Sequence, residues 1–355
     1  MLGTIGATIR ENAPVDAGDA GHIWVVGGLS LALAFALFFV GSRFTVLPLA
    51  AFVVTVGYGW YAHQAGTAKG LTLLTTVFAV LILVLIVVFL VARSIPAFSY
   101  MGIDILTKTS KPFWNTSGEE VYSLVPMIVG TLTTTAIAMV FAAPLGVASA
   151  LFISEIAPDW AREIVKPGVE LMAGIPSIVY GFIGFAIINE FMYSEMRLPG
   201  FGSYIAVGLV IGIMALPTVV SVAEDALAAV PESMKSGSLA MGATDWQTMK
   251  NVTVPAAFSG VSAAVLLGVG RAIGETMAAT VMLGHTKLIP DPLYDVFANG
   301  ETLTSVIAFE YGNASGLHMS ALFAAGVILF VTVLFLSIGS LLIERRMERK
   351  LGGKA

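Results

Sequence analysis

Eight runs of apolar residues, each near or above the length needed to cross a bilayer, leave this chain few ways to fold. A hydrocarbon core of about 30 Å takes about 20 residues of helix. The runs lie at 23–42, 46–62, 71–92, 125–153, 167–189, 203–223, 256–284 and 320–343, the second being short and interrupted by glycine. Prolines 144, 176 and 217 fall inside three of them, where neighbouring helices can satisfy the freed backbone groups, and kinks are expected there. With 57% hydrophobic and 12% charged residues and a mean hydropathy of +0.89, the chain reads as an all-α polytopic membrane protein.

Charge supplies the orientation. Lys and Arg in short loops favour the cytoplasmic side. Of 18 such residues, eleven (Arg10, Lys69, Arg162, Lys166, Lys235, Lys250, Arg345, Arg346, Arg349, Lys350, Lys354) share the side of both termini, six (Arg43, Arg93, Lys108, Lys111, Arg197, Lys287) lie opposite, and Arg271 lies within the membrane. Both termini and the 224–255 loop are therefore expected in the cytoplasm, with the 94–122 and 285–319 loops facing out. The polar, acidic start of the chain lacks a basic region leading into a short apolar run, so no cleaved leader is expected and the first run stays in the membrane. A net charge of −5 argues against a nucleic-acid partner. The absence of cysteine excludes disulfides, thiolate nucleophiles and Cys-ligated metal.

The 224–255 loop carries ordered signals. Pro231 and Glu232 start a short helix reaching about Met241, Gly242 and Ala243 make a turn, Thr244 with Gln247 forms a capping box, and Pro255 opens the next span. Leu239, Gly242, Trp246 and Met249 recur at spacings of three and four and give one apolar face. Such a face suits a hairpin lying on the membrane and a surface for a partner equally well.

Within the run 256–284, Arg271 and Glu275 are two full charges in an otherwise apolar or small stretch. An Arg at a helix centre costs roughly 2.5–3.5 kcal/mol on insertion scales, so such residues face a bundle interior or a watery path. Four residues apart, the two share a helix face and can pair. They fit a structural ion pair, and they equally fit a cation on an anion's path steadied by its carboxylate. Gly268, Gly270 and Gly274 follow no strand, so they form no nucleotide loop; small residues at this spacing let helices pack closely. Ser177 and Tyr180, in a stretch that also holds Gly174 and Pro176, offer hydroxyls inside a span, as do Thr131, Thr133, Thr134 and Thr135; helix packing accounts for each as readily.

Four motifs in order resemble one family. "SLVPMIVGTLTTTAIAMVFAAPLGVASALFISEIAP" (123–158), "MAGIPSIVYGF" (172–182), "LPTVVSVAEDALAAVP" (216–231) and "GRAIGETMAATVMLG" (270–284) are similar to the phosphate-importer permeases of the PstC and PstA type. Met277 and Ala278 after "GET" favour the PstC-like subunit. "GATDWQTMKNVTVP" resembles the cytoplasmic EAA loop of ABC-importer permeases, although Ser236, Gly237 and Ser238 stand where that loop has Glu-Ala-Ala.

The resemblance implies a six-helix ABC type I importer permease core (MetI-like) with two extra N-terminal transmembrane helices, about eight spans in all. It divides the chain into an N-terminal extension (1–66), a first core helix with its extracytoplasmic loop (67–122), a permease core (123–343) and a basic tail (344–355). It implies a phosphate path at Arg271, Glu275, Ser177 and Tyr180, and ATPase coupling through Glu232, Ser236, Gly237, Ser238, Gly242, Ala243, Trp246 and Pro255. The implied partners are a PstA-like second permease, two PstB-like ATPase subunits and an extracytoplasmic phosphate-binding protein, in a multi-pass plasma-membrane assembly without cofactors.

No G-x-x-x-x-G-K-[ST] loop is present, so ATP hydrolysis is left to partners and the chain is not itself an enzyme. No H-E-x-x-H or G-x-S-x-G motif supports intramembrane hydrolysis. Two alternatives remain: a permease for molybdate, tungstate or sulfate, and a self-contained anion channel or ion-coupled carrier. A channel has no need of the 224–255 helix pair.

Overall fold

The structure, a computed structural model, describes residues 17–198 and 200–350; the expectation for the polar N-terminal stretch falls on residues 1–16, outside them. The described residues are mostly helical, with one antiparallel pair of two-residue strands and irregular segments such as 283–302. It separates into two compact units, one ending at Val88 and the other starting at Phe89.

In the first unit α1 (Ala17–Phe39) turns through a short 3-10 segment into α2 (Val46–Ala62), and α3 (Gln64–Met101) begins there and runs on beyond Val88. Ser42 caps the turn, its side chain accepting the Phe44 N–H at 3.3 Å. Trp24 lies directly over Gly70, where an added Cβ would coincide with the indole ring, and Phe35 meets Phe78 with ring centroids 5.5 Å apart.

The second unit holds the remaining helices: α4 (Asp104–Thr107), α5 (Val125–Ile156, ending in a π turn), α6 (Asp159–Ala173), α7 (Ser177–Ser194), α8 (Tyr204–Ala228), α9 (Glu232–Ala240), α10 (Asp245–Ala256), α11 (Phe258–Gly274), α12 (Met277–Met282), α13 (Leu303–Glu310) and α14 (Gly316–Lys350). Between α4 and α5, β1 (Trp114–Asn115) pairs antiparallel with β2 (Val121–Tyr122). The central helix is α8, with 15 of its 25 residues buried. Glycines permit its close neighbours: a Cβ on Gly212 would lie 3.0 Å from the Ala138 carbonyl oxygen of α5, and one on Gly268 of α11 would lie 2.6 Å from Val219 of α8.

Among the described residues six helices are long and apolar enough to span a membrane, and a seventh counts if α10 and α11, bent by 69° at Ala257, are one span; the apolar helix Trp24–Phe39 is shorter than the rest. Every expected run is helical, but two are not single helices. The run 167–189 divides into α6 and α7, because α6 is an amphipathic helix carrying Asp159, Arg162, Glu163, Lys166 and Glu170, and the chain turns at Gly174 before restarting. Pro176 therefore stands at the N-cap of α7 rather than within a helix, where its fixed φ is no obstacle. The run 256–284 breaks after Gly274, where Glu275 takes an extended conformation with ψ 123°.

Candidate functional site

That break alters the relation between the two membrane charges. Arg271 belongs to the last turn of α11, whereas Glu275 has left the helix, so the i, i+4 geometry that would join them is lost. No ion pair connects them among the described residues, which corrects the expectation of a pair. The Glu275 carboxylate instead turns forward and accepts the Ala278 N–H at 3.1 Å, satisfying one of the free donors at the start of α12. Its backbone carbonyl accepts the Thr304 hydroxyl at 2.7 Å, which ties the break to α13. Arg271 is half-buried, and its Nε is fully buried without a hydrogen-bond partner. Buried polar atoms are nearly always paired, and this donor is one of six buried side-chain atoms left unmatched among the described residues.

The break is packed closely on one side only. A Cβ on Gly181 of α7 would stand 2.8 Å from the Cα of Ala278, so α12 lies directly across α7. Gly270 and Gly274 have nothing within 4 Å of a built Cβ, so of the three glycines singled out in this segment only Gly268 serves close packing within the chain. Tyr180 leans on the cluster containing Ala272, Ala278 and Ala279, but its hydroxyl donates to the Met172 carbonyl at 3.1 Å and anchors the α6–α7 turn. Ser177 sits in the first turn of α7, half-buried. Thr131 is structural: its oxygen accepts the Leu303 N–H at 2.9 Å while its hydroxyl donates to Met127.

The segment 285–319, expected only as a loop, contains groups that sequence reasoning missed. Glu301 is wholly buried and accepts from Ser305 at 3.0 Å, with His285 Nδ1 at 2.8 Å from the same oxygen, and its second oxygen has no partner. Further along, Glu310 meets Lys287 and His318 and accepts from Trp114 Nε1 at 3.0 Å. Burial would raise the Glu310 pKa, but the two basic neighbours outweigh it and hold the carboxyl below its usual range. No periodicity marks these residues, because apart from Ser305 their partners lie eight or more places away in sequence.

At the opposite end the 224–255 segment folds as its signals indicate. α9 starts after Pro231, Gly242 turns with φ +89°, and Thr244 and Gln247 exchange both capping hydrogen bonds, at 3.3 and 2.9 Å. Pro255 lies in the last turn of α10, just before the bend at Ala257. Glu232, Ser236 and Gly237 are exposed along α9, and Ala243 lies in the turn. Ser238 is buried and accepts from the Thr248 hydroxyl at 2.9 Å, which joins α9 to α10. Met249 faces inward, whereas Met241 and Trp246 are 86% and 65% exposed, so the apolar face is only partly covered within this chain.

The two glycines here should respond oppositely to alanine. Gly237 is helical with open space around it, and Gly237→Ala is expected to stabilise by about 0.5–1 kcal/mol. Gly242 is equally open but left-handed, so Gly242→Ala is expected to destabilise by about 1–2 kcal/mol. Thermal unfolding of the purified variants checks both signs.

A bundle with six or seven helices long and apolar enough to cross a membrane among the described residues, one helix broken beside a guanidinium and a capped helix pair with exposed apolar side chains together define a polytopic membrane protein. Residues 142–349 match the family described as binding-protein-dependent transport system inner membrane component, and the chain belongs to that family of ABC transporter permeases. It is 36% identical over 268 residues to a probable ABC transporter permease protein, YqgH, of Bacillus subtilis, covering 74% of this chain and 85% of the relative. It is also 36% identical over 299 residues to the phosphate transport system permease protein PstC of Pasteurella multocida, covering 78% and 91% respectively. A chain from the crystal structure of a bacterial alginate ABC transporter in complex with an alginate pentasaccharide-bound periplasmic protein shares its fold, with a TM-score of 0.54 at 18% identity over 83% of this chain and 98% of that one.

Proposed function

We propose that the chain is one of two permeases in an ATP-driven importer of inorganic phosphate. The observation that carries the reading is Arg271, the one Lys or Arg between Phe258 and Met282, whose buried Nε is left without a partner among the described residues. A planar guanidinium can donate two parallel hydrogen bonds to a tetrahedral oxyanion. Glu275 contributes by ending α11 and capping α12, which leaves the guanidinium unneutralised beside the path. Ser177 is a further hydroxyl on that path, and Tyr180 positions the α6–α7 turn beside it. Relatives named as phosphate transport permeases support the choice of anion.

In this reading the 224–255 segment lies in the cytoplasm with both termini, and the exposed part of α9, the turn at Gly242 and Ala243, and Trp246 receive an ATPase subunit of the PstB type. Gln247 caps the start of the second helix through Thr244, and Pro255 lies in its last turn before the bend. A PstA-like permease completes the path beside the bare flank of α11 at Gly270 and Gly274, and an extracytoplasmic binding protein delivers phosphate at the 285–319 end. Residues 1–66 form an extension to the core, and 344–355 a basic cytoplasmic tail.

Reconstitution tests this directly. Proteoliposomes containing the chain with its second permease, ATPase and binding protein are expected to accumulate labelled phosphate only with ATP, and liposomes with the chain alone to accumulate none. Uptake by the isolated chain would favour a self-contained carrier. ATP-dependent uptake of molybdate or sulfate in place of phosphate would reassign the anion.

A further inference from the structure

We infer that Lys235 and Glu155 are a positioning pair that carries movement of α9 into the transmembrane helix α5. The inference rests on the reading of α9 as the ATPase-coupling helix and adds the link between that helix and the span. The Lys235 ammonium lies 2.7 Å from Glu155 Oε1, and both side chains are largely withdrawn from solvent, at 16% and 13% exposure. This is not an ordinary surface ion pair, whose contribution is near zero.

The surroundings make the pair a strut. α5 ends in the π turn Phe152–Ile156, which exposes carbonyls that a helix end leaves unsatisfied. Arg162 of α6 takes two of them, donating Nε to Ile153 at 2.9 Å and a terminal nitrogen to Ser154 at 3.0 Å. The end of α5 is thereby fixed in place, with Glu155 turned towards α9 and accepting from Ser154 Oγ at 3.0 Å. A cavity of about 590 Å³ opens beside the pair, lined by Arg162, Glu224, Leu239 and Trp246 among others. Where packing is interrupted by so large a space, a direct charged contact is the stiff connection between the two helices.

What lies beyond Glu155 gives the link a destination. α5 is 32 residues long, roughly 48 Å at the helical rise, and it packs on α8 through the close approach at Gly212. Towards its other end Thr131 accepts the Leu303 N–H, and the next residue on α13, Thr304, donates to the Glu275 carbonyl at the helix break. Each step is a hydrogen bond or a packed contact, so displacement of α9 has a continuous physical route to the segment that carries Arg271. A route of this kind counts as coupling only when both ends respond to its interruption.

The test uses the complete reconstituted importer and measures phosphate taken up per ATP hydrolysed. Lys235→Met and Glu155→Gln are each expected to lower that ratio at least threefold while ATP hydrolysis stays within twofold of the unmodified complex. The double variant should be no worse than either single one, because both remove the same link. Lys235→Arg, which keeps the charge and a donor, should retain the ratio. Failure of the variants to assemble, a parallel fall in uptake and hydrolysis with an unchanged ratio, or additive losses in the double variant would overturn the inference. An unmodified complex without ATP-dependent phosphate uptake would instead overturn the proposed function, so the two failures are distinguishable.

Discussion

Arg271→Gln is expected to reduce phosphate uptake by the assembled importer about ten- to a hundredfold, with the subunit still inserted and assembled. A hydrogen bond to a charged group contributes about 1.5–3 kcal/mol, which corresponds to that range of rates if it is made where the anion's desolvation is greatest. Arg271→Lys should retain part of the activity, because it keeps the charge and loses the fork. The structure also changes what is expected of a charge exchange. Since Glu275 caps α12 and does not neutralise Arg271, combining Arg271→Glu with Glu275→Arg should not restore transport: it places an anion at the guanidinium's position and removes the acceptor for the Ala278 N–H. Labelled-phosphate uptake, normalised to assembled complex, decides the matter; wild-type uptake by the exchanged pair would mean the path runs elsewhere.

The second large effect is expected at Gly130, through stability. A Cβ there would lie 2.0 Å from the Glu301 carbonyl oxygen and 3.1 Å from the ring of Tyr204. Glu301 has little freedom to retreat, because its side chain is wholly buried beside His285 and Ser305 and the following residues enter the capping box of α13. Gly130→Val is therefore expected to destabilise by about 3 kcal/mol, the upper part of the range for overpacked cores, and to detach α13 from α5. Gly270→Ala is the matched control, since its Cβ meets nothing within 4 Å and should leave unfolding unchanged or slightly raised. Apparent melting temperatures in detergent, and yield from the membrane, check both.

Local signals were legible in the sequence. The apolar runs are helical because lipid leaves the backbone no other partner. The Pro231 start, the Gly242 turn and the Thr244–Gln247 box appear at their expected positions because each depends on residues within a few places of one another. The family was legible for a different reason, its motifs being spread over 123–284 in order. What stayed hidden depends on distance or on competition. The 167–189 run is apolar enough to pass for one span, but the charges just before it draw 159–173 into a separate amphipathic helix. Spacing put Glu275 on the face of Arg271, and the broken helix after Gly274 took it away. Glu301, His285 and Thr304 gave no signal, since their partners stand up to 29 residues off along the chain.

The helix break has a thermodynamic side. On the proposed reading, a guanidinium held partly out of water with no ion pair among the described residues carries an uncompensated desolvation cost, and an anion seated beside it would lower that cost and stabilise the fold together. Had α11 continued unbroken, a carboxylate four residues on could have offset that cost permanently, and an anion would gain less by binding. With Glu275 assigned to α12, no fixed carboxylate offsets that cost, which on the proposed reading links the stability of the subunit to the anion it passes.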